Sequence, residues 1–114
     1  MDTDFFETTQ LIDEQDRAKQ IYHEFLRVPS ISAGLYTLPA GSIDTQQPHT
    51  EDEVYYVISG RAAFRAGTEE RSVQAGSILY VKAHVEHRFH SISEDLRVLV
   101  VFAPAEYSNA PTRP

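Results

Sequence analysis

In the stretch Gln47-Pro-His49-Thr-Glu-Asp-Glu53 an imidazole and a carboxylate stand four residues apart. On an extended strand Gln47, His49 and Glu53 share a parity, so their side chains point to one face. Imidazole nitrogen and carboxylate oxygen converging on one face are what a divalent transition metal requires of a protein. A third strong ligand has to come from elsewhere in the chain. His87, which closes Gly76-Ser-Ile-Leu-Tyr-Val-Lys-Ala-His-Val-Glu-His87, is the best candidate. Gln47 offers only a neutral amide oxygen and is either a weak fourth ligand or a partner for a bound water. Glu51 shares the parity of Glu53 and is the alternative carboxylate. His84 is expected in a solvent-facing turn, His90 on the face opposite His87 and Phe89, and His23 at a surface or interface. Asp44 and Thr45 have no assigned role.

These residues resemble the two motifs of the cupin family, G-x5-H-x-H-x3,4-E-x6-G and G-x5-P-x-G-x2-H-x3-N. The first runs from Gly41 through Gln47, His49 and Glu53 to Gly60; the second from Gly76 through Lys82, His84 and His87 to Ser91. Spacing matches throughout, whereas Gln47, Lys82, His84 and Ser91 replace the histidine, proline, glycine and asparagine of the pattern. The x6-G spacing to Gly60 favours Glu53 over Glu51. The resemblance covers roughly residues 20–105 and implies a metal site of His49, Glu53 and His87, a two-histidine, one-carboxylate set. Iron, manganese, nickel, copper and zinc all suit such ligands. It further implies oxidation or isomerisation of a small organic molecule, with no second motif to select the substrate. A non-catalytic sensor or binding module and a metal-free barrel are the rival readings, since one fold hosts many functions.

The elements that must position these residues read as all-β. Short apolar runs at Ile31–Leu38, Glu53–Ile58, Arg61–Arg65, Ser77–Val81, His87–Ile92 and Leu96–Phe102 are punctuated by Gly, Pro and Ser. Many short strands at this spacing predict a cupin-type β-barrel or jelly roll over residues 21–107. Residues 1–20 are expected as an N-terminal arm, with a short helical or irregular stretch before a strand near 22–28. Residues 108–114 are expected as a flexible tail. Tyr36, Tyr55, Val57, Phe64 and Phe89 are expected to line the pocket, with plain core as the alternative.

Residues 54–58 and 96–102 are apolar on both strand faces, which predicts burial on both. A single small barrel covers only its interior, so the N-terminal segment and a second copy of the chain, in a homodimer, are expected to cover the outside.

Composition narrows the function classes. A chain of 114 residues with 41% hydrophobic and 24% charged residues is the size and make-up of one ordinary domain. A net charge of −7 argues against a nucleic-acid partner, because phosphate backbones demand a basic stripe. With no cysteine, thiolate catalysis, disulfides and Cys-type zinc sites are excluded. An acidic start and the lack of a membrane-length apolar run lead to a cytoplasmic expectation, with no membrane partner.

Overall fold

The computed structural model describes residues 2–111. Helix α1 (Thr8–Ala18) precedes strands β1 (Tyr22–Val28), β2 (Ile31–Leu38), β3 (Asp52–Ala66), β4 (Glu69–Gln74), β5 (Ile78–Val81) and β6 (His87–Ala103). They form an antiparallel sheet in the order β1-β2-β6-β3-β4, with β5 paired to residues 53–56 of β3, before the stretch that pairs with β4. The all-β jelly-roll expectation and the short N-terminal helix both hold.

The helix carries little apolar surface and is held by a polar side chain. Leu11 and Gln15, one turn apart, are its two buried residues. The Gln15 amide donates to the carbonyls of Gln20, Ile21 and Leu35 at 3.0 to 3.2 Å, tying α1 to the start of β1 and to β2. Lys19, in the left-handed conformation, ends the helix. In the sequence Leu11, Ala18, Ile21, Tyr22, Phe25 and Leu26 also fit a helical stripe, but Tyr22, Phe25 and Leu26 belong to β1. A bulge between Glu24 and Leu26 leaves Phe25 without a register partner, and one extra residue turns period-two alternation into helix-like spacing.

Two pairs of expected strands are single long strands. β3 continues through Ser59-Gly60 and pairs with β6 from Asp52↔Ala103 to Ala66↔His87, with register irregularities between Val57 and Ala63. Gly60 has φ +98°, and a Cβ there would lie 2.2 Å from the Asp95 carbonyl oxygen. Its glycine marks a bend at a close approach of two strands, not a chain reversal. β4, absent from the sequence expectation, is an edge strand in which only Val73 is buried, so it carries no alternating apolar signal.

Inward-facing Tyr55, Val57, Phe64, Phe89, Leu96, Val98, Val100 and Phe102 make the core. The outer face departs from the expected two-sided burial. Helix α1 and Phe6, whose ring meets Phe25 at 4.8 Å, cover the β1–β2 side. Val54 and Tyr56 remain 38% and 43% exposed, while α1 packs on β1 and β2. Of the segment expected as a tail, residues 108–111 lie in or beside hydrogen-bonded turns, and residues 112–114 lie outside the described residues.

Gly60→Ala is expected to cost about 3 kcal/mol or more, combining a left-handed residue with a backbone clash. Gly41→Ala, also at positive φ but with nothing within 4 Å of the added Cβ, should cost about 1 kcal/mol. Urea denaturation of the two variants measures the difference.

Candidate metal centre

Three elements bring His49, Glu53 and His87 together. Glu53 starts β3 facing inward, His87 starts β6, and His49 sits in the connection between β2 and β3. Each offers a ligand atom within 4.8 Å of the others. His87 Nε2 lies 2.8 Å from Glu53 Oε1, and His49 Nδ1 lies 3.2 Å from the same oxygen. These are ion-pair separations, yet neither Glu53 oxygen has a hydrogen-bond partner among the described residues, nor does His49 Nδ1. A carboxylate 2% exposed with no hydrogen bond to either oxygen needs positive charge beside it, from the two imidazoles when protonated or from a metal ion when they are not.

The imidazoles are prepared for the same role. His87 Nδ1 lies 2.9 Å from the Val85 carbonyl and donates to it, which in the neutral ring leaves Nε2 as the free lone pair. Its Nε2 also meets the Tyr55 hydroxyl at 3.0 Å. The His49 ring rests against Phe102 at 4.7 Å, and its Nε2 lies 3.2 Å from Glu106 Oε2. Burial pulls the His49 imidazole down, but Glu106 and Glu53 outweigh it and raise it to about 9. His87 is likewise raised, burial opposing and Glu53 prevailing. Glu53 is held below the usual carboxylate range, since its two imidazoles outweigh burial. The donor set, two histidines and a carboxylate without other partners, fits a divalent transition metal.

The surroundings sort the expected residues. Residues 42–51 are not a strand, so the parity linking Gln47 to His49 does not operate. Gln47 is exposed, and Gln46 lines the cavity instead, where its Oε1 accepts from Tyr55 at 2.9 Å. Tyr36 and Tyr55 line the cavity, whereas Val57, Phe64 and Phe89 fill the core. Their rings cluster below Tyr55, with Phe64 and Phe89 at 4.7 Å. His84 is exposed at φ +69°, the left-handed position where the motif has glycine. His90 faces Glu70, and His23 meets Gln20 at 3.2 Å, both away from the site.

Four residues that sequence reasoning missed complete the site: Asp44, Glu51 as a tether, Tyr22 and Glu106. Buried Asp44 accepts from the Tyr36 hydroxyl at 2.8 Å, the Gln46 amide side chain at 2.7 Å and the Phe89 backbone amide at 2.9 Å. It thereby fixes the irregular ligand loop to β2 and β6. Its bond from the Gln46 backbone amide, two residues on, was the local signal. Glu51 is equally buried but faces the C-terminal segment. Its oxygens accept from the amides of Tyr107 and Asn109 at 2.8 and 2.9 Å and from the Thr50 hydroxyl. Those donors outweigh burial and hold it below the usual carboxylate range. So tethered, the segment after β6 lays Glu106 over His49. A cavity of about 550 Å³ opens beside His49, walled by Tyr22, Tyr36, Gln46, Tyr55 and Glu106 among others.

A family model for the cupin domain matches residues 34–102. The chain is a cupin. The "Uncharacterized protein SCO3923" of Streptomyces coelicolor is 59% identical over 85 residues, 75% of this chain and 81% of that protein. Among solved structures, TT1209 from Thermus thermophilus superposes with a TM-score of 0.72 at 23% identity, covering 90% of this cupin and 99% of that chain. The DMSP lyase DddQ from Ruegeria pomeroyi superposes with a TM-score of 0.62 at 22% identity. It shares 67% of this cupin, which spans only 39% of that chain. At these identities the solved structures show the shared fold. No helix among the described residues is long and apolar enough to cross a membrane.

Glu51→Ala removes two amide bonds to a carboxylate and is expected to cost about 3 kcal/mol. Hydrogen exchange at the Tyr107 and Asn109 amides should rise together, while the exchange of the β3–β6 core amides falls short of that increase.

Proposed function

We propose that this cupin is a metal-dependent enzyme acting on a small organic molecule, by isomerisation or another proton-transfer reaction. The observation that carries this reading is Glu53, buried with both oxygens unbonded between His49 and His87. Three protein ligands leave coordination positions open, which suits a catalytic rather than a closed structural site. Bound there, a divalent ion supplies Lewis acidity to a ligand oxygen. The chain's own groups supply the rest. Tyr55 orients His87 and Gln46, Asp44 holds the ligand loop, and the cavity beside His49 gives a small molecule access. Glu106 is the carboxylate at the cavity wall placed to accept or return a proton, with His49 fixing it from the other side.

The test is metal uptake. Purified protein titrated with each first-row divalent ion should bind one stoichiometrically, and His87→Ala or Glu53→Ala should weaken binding at least roughly tenfold with the fold retained. Gln47→His, at an exposed position, should leave affinity unchanged. A wild type that takes up none of these ions overturns the reading.

We also propose that a second copy of the chain covers the outer face. Val54 pairs with Tyr80 and Tyr56 with Ile78 across β3 and β5. Tyr80 and Ile78 are 63% and 70% exposed, so four apolar side chains form one uncovered patch. The groove beside it, lined by Phe6, Phe25, Tyr56 and Leu99, extends the apolar surface. A patch shared by two copies about a two-fold axis is self-complementary. Light scattering should give a dimer at micromolar concentration, and Tyr56→Glu with Ile78→Glu should give a monomer. A monomeric wild type rules the dimer out.

A further inference from the structure

Tyr22 is the cavity-wall tyrosine whose proton has no acceptor. Its hydroxyl oxygen is fully enclosed and has no hydrogen-bond partner among the described residues, although the ring forms part of the wall beside Glu106 and His49. Burial, then Glu106 and Glu24, push the phenol above its ordinary range, so it stays a neutral donor. An enclosed donor left unpaired is costly, and a ligand oxygen would remove that cost by drawing the hydroxyl toward the cavity that the ring already lines. The ring's position is built in by its neighbour. A Cβ on Gly34 would fall 2.4 Å from Tyr22 Cζ and 2.5 Å from its hydroxyl oxygen. Only glycine on β2 lets the Tyr22 ring lie across that strand.

Charge in the cavity decides what the ligand can be. Among the described residues no lysine or arginine lines it, while Glu24 and Glu106 do. The nearby Arg27 guanidinium is engaged by the Glu24 carboxylate at 3.1 Å and by the Glu106 carbonyl. Glu106 in turn faces His49. A divalent ion held by His49, Glu53 and His87 would set two positive charges against the carboxylates of Glu53 and Glu106, so the loaded site would be formally neutral. Neither an anion nor a cation finds an unopposed charge there. A hydroxyl group both accepts, from Tyr22, and donates, to Glu106, and the aromatic wall of Tyr22, Tyr36 and Tyr55 gives its carbon skeleton a surface.

We propose that Tyr22, seated on Gly34, is the ligand-anchoring donor of this cavity, and that the ligand is an uncharged hydroxyl-bearing molecule rather than an organic acid or amine. This deepens, and rests on, the reading of the cavity as the substrate site of a metal-assisted enzyme.

The experiment uses the full chain, loaded with manganese(II) and, in parallel, after chelator treatment. Saturation-transfer NMR measures binding of two matched series: glucose, glucuronate and glucosamine; benzyl alcohol, benzoate and benzylamine. Concentrations reach roughly 10 mM, where weak ligands still register. In at least one series the uncharged member should bind at least roughly tenfold tighter than both charged ones. Tyr22→Phe should lose roughly tenfold, the worth of one hydrogen bond to a buried donor. Gly34→Ala should lose as much while deleting no polar group; if it fails to fold, Tyr22→Phe alone decides. A preference for either charged member, no binding by any of the six, or full affinity in Tyr22→Phe overturns the proposal. Failure of the wild type to take manganese(II) while keeping the neutral preference would sink the metal reading alone. Normal metal uptake with preferred binding of an acid would sink the present one alone.

Discussion

The buried carboxylate of Glu53 is the constraint around which the molecule is arranged. An ionised group taken out of water is unfavourable unless opposite charge and hydrogen bonds replace its hydration. Two imidazoles supply the charge, from the loop before β3 and from the start of β6. Hydrogen bonds are withheld, since neither oxygen has a partner among the described residues. An arrangement evolved only for stability would satisfy those lone pairs, and the same fold does so at two other buried acids nearby.

Asp44 and Glu51 make that contrast. Both are as buried as Glu53, and both are well bonded: Asp44 by Tyr36, Gln46 and Phe89, Glu51 by Thr50, Tyr107 and Asn109. They are structural anions, each closing an irregular segment whose backbone has no sheet ladder to join. One fixes the loop that carries His49; the other ties down the chain that carries Glu106. Glu53, the acid of the cluster that could hold a metal, is the one without hydrogen bonds. Rigidity around it matters because ligand atoms have to stay within tenths of an ångström of their places, which loops achieve only when pinned from several sides.

The same reliance on polar contacts shapes the outside of the sheet. Polar tethers, not apolar area, hold α1: Gln15 spans three carbonyls, and Arg97 reaches Asp16 at 2.7 Å. A helix attached this way covers one side of the sheet and leaves the β3–β5 side with tyrosines and aliphatics toward solvent. None of its four exposed side chains lines the cavity beside His49, so that face and the cavity mouth are separate surfaces.

How much of this was legible in the sequence differs from element to element. The clustering of His49, Glu53 and His87 and the jelly roll were, because motif spacing is a local property and alternation reports which strand face is buried. Bends were misread as turns: Gly60 has the same residue chemistry whether a strand reverses or merely kinks, and only the partner strand at Asp95 distinguishes them. β4 was invisible, as an edge strand buries too little to impose a pattern. Gln47 was placed beside His49 by strand parity, which fails where the backbone is irregular, and Gln46 took the inner position. By itself, then, the sequence determined the fold class and the identity of three converging side chains, His49, Glu53 and His87, both encoded in short-range periodicity. Tertiary structure alone decided Glu106, Tyr22 on Gly34 and the tether at Glu51, because each depends on a contact between segments that spacing along the chain does not record.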